Sequence, residues 1–138
     1  MNTIKNQIRP ILAMTVAIAI STLVSCKKDE HVPPDINFKT TAGYTAADAI
    51  EAVNTPVLFG VDVVKTEDEL KTFDVSVSLD GAAANSIQSE TISGSEEDGF
   101  SRDVAVTTRA VTGTEKYTFT VTDRDGNITQ ESITLTVQ

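Results

Sequence analysis

Apolar and polar residues alternate along most of this chain beyond residue 35, and that alternation confines it to β-structure. Val57, Phe59, Val61 and Val63 recur at every second position, as do Phe73, Val75, Val77 and Leu79. Val104 and Val106 repeat the pattern, followed by Tyr117, Phe119 and Val121, then Ile133, Leu135 and Val137. Residues two apart in a strand share a face, so this spacing predicts half-buried strands. Ser, Thr, Asp and Lys fill the alternate positions, as a solvated sheet face requires. Weaker strands are expected at 36–39, 49–53 and 86–92. Turn residues separate the runs: Asn54-Thr55-Pro56, Asp80-Gly81, Asp98-Gly99, and Asp125-Gly126-Asn127, which joins the last two strands as a hairpin. The pair Thr66 and Glu69 has capping-box spacing and predicts one helical turn. About seven short strands with regular turns give an all-β, antiparallel sandwich. Its expected core is Phe59, Val61, Val75, Val77, Val104, Phe119, Val121, Ile133 and Leu135, and the domain is expected to be a monomer.

The first residues follow a different rule. Lys5 and Arg9 stand in a polar start without acids, and 11–24 is apolar except for Thr15, Ser21 and Thr22. A basic start, a short apolar stretch and small residues at its end define a secretory signal peptide. The apolar stretch falls short of the roughly 20 residues that a spanning helix needs. Leu23-Val24-Ser25-Cys26 closes it and resembles a bacterial lipobox, in which the cysteine is lipidated and becomes the first residue of the mature protein. The resemblance implies a diacylglyceryl thioether on Cys26, and usually a third acyl chain on its amino group. Two or more chains hold a protein stably on a membrane. An ordinary signal peptide with a chance cysteine, or an uncut anchor, is the competing reading. Cys26 is the only cysteine, so no internal disulfide can form, and lipidation accounts for a lone thiol in an exported chain. The expected layout is a signal peptide at 1–25, a lipidated cysteine and flexible tether at 26–34, and one β-sandwich domain at 35–138.

Two further resemblances refine this. Lys27, Lys28, Asp29 and Glu30 directly follow the cysteine and resemble the acidic cluster that directs lipoproteins of Bacteroidota to the outer face of the outer membrane. A solvated linker is the other reading of the same four residues. The expected location is therefore the outer membrane, facing either the cell surface or the periplasm. The stretch from residue 35 onward resembles an immunoglobulin-like domain. Tyr117-Thr118-Phe119-Thr120-Val121 carries the resemblance, with Phe119 where antibody domains hold a cysteine. The resemblance implies that Tyr117 is a tyrosine corner whose hydroxyl bonds back to nearby backbone. The absence of a disulfide and of any Trp points to disulfide-free bacterial relatives, many of which are surface lipoproteins.

Composition excludes more than it assigns. The net charge of −9 argues against nucleic acid, whose phosphates need Lys and Arg. His31 is the only histidine and lies in the tether, so a histidine-based triad or zinc site has no place in the domain. Glu90 and the run Glu96-Glu97-Asp98 read as a solvated acidic loop. Asp123, Asp125 and Asn127 place three oxygen-bearing side chains at alternate positions. That is a weak calcium pattern, and it is equally what a hairpin turn requires. No other cofactor is called for. The chain is expected to be a non-catalytic binding or adhesion module. Its partner would be a protein or glycan, met through an edge strand or through the stretch 81–99 read as a loop. The alternative is a structural spacer or accessory subunit of an outer-membrane complex.

Overall fold

The computed structural model describes residues 31–138. The lipobox residues Leu23, Val24, Ser25 and Cys26, and the residues Lys27, Lys28, Asp29 and Glu30 after them, lie outside the described residues. In chain order the elements are β1 (Asp35–Phe38), β2 (Ala49–Glu51), β3 (Pro56–Val64), β4 (Leu70–Leu79), β5 (Asn85–Thr91), a 3₁₀ turn (Gly94–Glu97), β6 (Gly99–Thr107), β7 (Gly113–Asp123) and β8 (Ile128–Val137). They form two sheets, one of three strands in the order β1-β3-β6 and one of five in the order β2-β8-β7-β4-β5. This is the immunoglobulin-like arrangement, with strands A, B and E in one sheet and C, F and G in the other. The strand β5 takes the C′ place, and among the described residues no strand takes the D place beyond β6. All pairings are antiparallel except that of the three-residue β2 with β8.

The alternation read from the sequence is what builds the core. Phe59, Val61, Phe73, Val75, Phe119, Val121 and Leu135 are fully buried between the sheets. Their rings interlock: Phe119 meets Phe38 at 5.2 Å and Phe59 at 5.6 Å, both edge-on, and Phe73 meets Phe100 at 5.4 Å. Edge-to-face pairs add to the energy of burial because each ring's positive edge meets the other's negative face. One expected core residue differs. Val77 is only partly buried and Leu79, further along the same face of β4, is 39% exposed, because the sandwich is open on that side.

Three other expectations change. Residues 66–68 form bends rather than a helical turn. The Thr66 hydroxyl, the expected cap, donates instead to the carbonyls of Val32 (2.7 Å) and Pro33 (3.0 Å), and Glu69 pairs with Arg124 at 2.9 Å. Those bonds also shorten the tether. Val32 to Pro34 is docked on the domain, with Pro34 buried and its carbonyl accepting from the Thr129 hydroxyl. The stretch 81–99 is largely strand β5 and the 3₁₀ turn rather than a loop. It begins with a tight turn in which Asp80 (φ 50°) and Gly81 (φ 77°) are both left-handed and Ala82 N–H donates to the Leu79 carbonyl. These are the features of a type I′ turn, whose twist matches the flanking strands. Among the described residues no helix is long and apolar enough to cross a membrane.

Candidate functional site

The open side of the sandwich lies between the edge strands β5 and β6, and its two halves are built differently. Both strands aim charged side chains inward there. Arg102 follows Phe100 and precedes Val104 on the inner face of β6, and Glu90 lies opposite the inward Phe73. The Arg102 guanidinium reaches across to the other sheet. Its Nε bonds Glu90 Oε1 at 3.0 Å, and its Nη1 and Nη2 bond Glu96 at 2.9 and 2.7 Å. It also lies 4.9 Å from the Phe100 ring centroid. A planar guanidinium between two carboxylates is a strong charge-assisted arrangement, and an inward charge is a common guard on a strand edge. The two carboxylates raise the Arg102 pKa, Glu96 first. The acids expected to form a solvated loop are thus structural partners: Glu90 and Glu96 hold Arg102, Glu97 pairs with Arg124, and Asp98 with Lys65.

The other half is an apolar groove of about 290 Å³, lined by Val77, Leu79, Ile87, Val106, Thr107, Arg109, Glu115 and Tyr117. A bulge makes room for it. Val75 faces Gln88 while the next residue, Ser76, faces Ser86, so Ile87 is the extra residue in β5. Bulges re-aim side chains, and Ile87 stands 47% exposed at the groove mouth.

The groove floor is polar, and both Glu115 oxygens are bonded. Tyr117 O–H donates to Glu115 Oε2 at 2.8 Å, and the other Glu115 oxygen accepts the backbone N–H of Arg109 at 2.8 Å. Glu115 is 2% exposed and Tyr117 4%. Burial first, and the Glu115 carboxylate next, raise the Tyr117 pKa far above the ordinary phenol value, so Tyr117 remains a donor. The expected tyrosine corner is therefore altered: the hydroxyl bonds a side chain two residues upstream, and that side chain carries the bond on to the backbone of the β6–β7 connection.

Arg109 forms one wall through a clamp. Its Nη1 and Nη2 bond the two Asp80 oxygens at 2.6 Å each, and Asp80 also accepts Thr114 N–H at 2.8 Å. The clamp joins the β4–β5 turn to the start of β7. Gly113 (φ 144°) permits it, because a Cβ there would lie 1.4 Å from Arg109 Nη2. Arg109 and the Thr114 N–H hold the Asp80 carboxyl at about 2, below its ordinary value. A depressed folded pKa stabilises the fold above the unfolded carboxylate range, and that stabilisation is lost as pH falls through the folded value. Asp80→Asn is therefore expected to lower the urea midpoint at pH 7, with the gap to wild type closing as pH approaches 2. An unchanged gap would show that Asp80 acts through something other than its charge.

The calcium candidates lie at the β7–β8 turn. Asp123 is fully buried. Its Oδ1 accepts Asn127 N–H at 2.8 Å and its Oδ2 accepts Asn127 Nδ2 at 2.9 Å. Each oxygen thereby takes one bond that closes the β7–β8 hairpin, while Asp125 is exposed. Among the described residues no group of three or more His, Cys, Asp or Glu is placed to hold a metal ion.

Beyond the groove, a second concavity of about 340 Å³ lies on the outer face of the three-stranded sheet, where Pro56 and Leu58 of β3 adjoin Ala105 and Thr107 of β6. Next to it on the same sheet, Asp103 receives Lys39 Nζ at 2.6 Å and the Tyr44 hydroxyl at 3.0 Å. The sequence offered a signal for the missed residues. Glu115 is in phase with Tyr117 and Phe119, and Arg102 with Phe100 and Val104, so the period of two places both charges inside.

No family model matches the chain, and no curated protein matches it. Among solved structures it is similar to the CARDB domain of the PF1109 protein from Pyrococcus furiosus, described in complex with di-metal ions. Identity is 15%, the match covers 76% of this chain and 96% of that one, and the TM-score is 0.45. It is also similar to murine CRIg, at 11% identity over 78% of this chain and 99% of that one, with a TM-score of 0.41.

Proposed function

We propose that this chain is a lipid-anchored, non-catalytic binding module of the cell envelope, held at the outer membrane through Cys26 and meeting a protein partner on the open side of its sandwich. The observation that carries the binding half is the groove between β5 and β6. It is largely apolar, and its one carboxylate is committed to Tyr117 and to the Arg109 backbone, so the groove has shape and apolar surface but no poised acid or nucleophile. Largely apolar concavities are common binding sites. The anchoring half rests on Leu23-Val24-Ser25-Cys26 and on the single thiol. The docking of Val32 to Pro34 supports a domain held close to the bilayer, because few residues separate Cys26 from the packed chain.

Membrane fractionation tests the anchor. Cys26→Ala is expected to leave the protein without lipid and to release it into the soluble fraction, whereas wild type stays with membranes through a high-salt wash. Retention of the variant would place the anchor elsewhere. A second arm replaces Asp29 and Glu30 by Ala, and protease shaving of intact cells then reports the face. Surface display predicts that wild type is cleaved and the double variant protected; protection of both means a periplasm-facing protein. For the binding half, a photoreactive residue at Ile87, in the groove mouth, is expected to crosslink to a specific protein in native cells. The absence of any crosslink there and along the β6 edge would favour the spacer reading.

A further inference from the structure

Resting on the reading of this domain as a binding module, we propose that the open half of the β6 edge, residues 103–107, accepts an extended basic peptide of a partner protein as an added strand. Hydrogen-bond parity along β6 places the free groups. Lys65 N–H bonds the Asp98 carbonyl and Thr108 N–H bonds the Thr55 carbonyl, so the even-numbered residues of β6 bond to β3. In an antiparallel pair the alternate residues turn their N–H and C=O the other way. Asp103, Ala105 and Thr107 therefore present backbone donors and acceptors to the outside, and among the described residues no backbone group meets them.

The remaining edges are blunted except along β8, where β2 pairs only with Leu135–Val137 and Thr134 N–H donates to Asp48 Oδ1. The strands β1 and β2 have four and three residues, β5 carries the bulge at Ile87, and the first half of β6 is covered by the Arg102 bridge to Glu90 and Glu96. Short strands, bulges and inward charges are the usual protection of sheet edges. Residues 103–107 have none of these, and their register with β3 is unbroken.

The surroundings of this half-edge suit an added strand. Successive side chains of a strand point to opposite faces, and a concavity lies on each face here. The groove adjoins Val106 on the inner face, and the second concavity adjoins Ala105 on the outer face. Strand addition draws affinity from main-chain hydrogen bonds and selectivity from pockets that take alternate side chains. Adjacent aliphatic side chains of one peptide would enter both. Charge selects between a foreign peptide and a second copy of this chain. After Glu30 the chain has eighteen acids and seven Lys or Arg, and Lys39, Lys65, Arg102, Arg109 and Arg124 are held in ion pairs. Two copies would repel, while a strand flanked by Lys or Arg would be drawn in.

The test titrates the full chain in detergent with the capped peptide Lys-Thr-Val-Ile-Val-Thr-Lys and follows backbone amide shifts and hydrogen exchange. Saturable shifts and new protection centred on residues 103–107 are expected. Ala105→Pro removes one outward N–H without touching the β3 ladder, a position where proline is tolerated, and is expected to weaken the peptide by about tenfold, the size of one lost hydrogen bond. Ala105→Ser keeps that N–H and should bind as wild type does. Shifts centred elsewhere, no saturable binding, or equal binding by Ala105→Pro each overturn the proposal. So does self-association of the chain through residues 103–107, which makes a second copy the occupant. Crosslinking from Ile87 in cells separates the two levels. A captured partner together with a silent β6 edge leaves the binding module intact and removes only the strand-addition site.

Discussion

Phe119→Ala is expected to lower the stability of this domain by about 3–5 kcal/mol, in the range measured for large aromatic truncations. Phe119 has no exposed surface, and its ring touches both sheets. It faces Val75 across the β4–β7 ladder and meets Phe38 and Phe59 of the opposite sheet edge-on at 5.2 and 5.6 Å. Removing it leaves a void bounded by strands on both sides, and strands pinned by ladders cannot easily close a void. The cost therefore combines lost burial with lost aromatic contact. Domains of this size are stable by about 5–15 kcal/mol in total, so a large share of the margin is at stake. Urea denaturation of the single variant measures the loss. Val75→Ala and Val77→Ala are the matched pair on the neighbouring strand: Val75 is fully buried and Val77, on the same face, lies at the open groove, so its loss should be several-fold smaller than that of Val75. Equal losses at these two positions would mean that the groove is closed in solution and that the core extends to Leu79.

The period of two made the strands and most of the core legible, and the reason is local. A residue's face in a strand is set by its parity, so Phe59, Val75, Phe119 and Leu135 could be placed inside without knowing which strands pair. What escaped were the features set by pairing. Val77 has the right parity yet is half-buried, because a bulge at Ile87 and the end of β6 leave that side of the sandwich open, and neither is written in β4. The Thr66 and Glu69 spacing read as a cap because cap chemistry is local. Both side chains have long-range partners instead, Val32 and Pro33 for one and Arg124 for the other. Parity also places charges inside, against the usual preference of charged groups for water. Arg102, Glu115 and Asp123 all occupy inner positions, and each is accommodated by a bonded partner of the kind that burial demands. The candidate site follows the same division. Its apolar walls were visible as alternation, whereas its polar floor depended on Glu115 lying under Tyr117 and beside the backbone of Arg109.

That floor carries the second large effect. Glu115→Ala is expected to cost about 2–5 kcal/mol, because it leaves a buried donor, the Tyr117 O–H, and a partly buried one, the Arg109 N–H, without an acceptor, and each orphaned group costs roughly 1–3 kcal/mol. The loss should be greater than that of Tyr117→Phe, which removes one donor and leaves Glu115 with its bond to Arg109. If the pair acts as one unit, the double variant Glu115→Ala with Tyr117→Phe should be less damaged than the sum of the two single variants, since the phenol no longer needs the carboxylate. That non-additivity is what a double-mutant cycle reads. Glu115→Gln tests the charge apart from the hydrogen bonds: its amide oxygen can still accept from one donor, so it should fall between wild type and Glu115→Ala. The same bonds hold the β6–β7 connection against the groove, so backbone amide exchange at Arg109 should quicken in Glu115→Ala and remain slow in Tyr117→Phe. A loss below about 1 kcal/mol in Glu115→Ala, less than one unsatisfied donor, would show that water enters from the groove and replaces the carboxylate. The floor would then be wet and open to a ligand's polar groups, whereas a full loss means that a partner meets apolar walls above a sealed base.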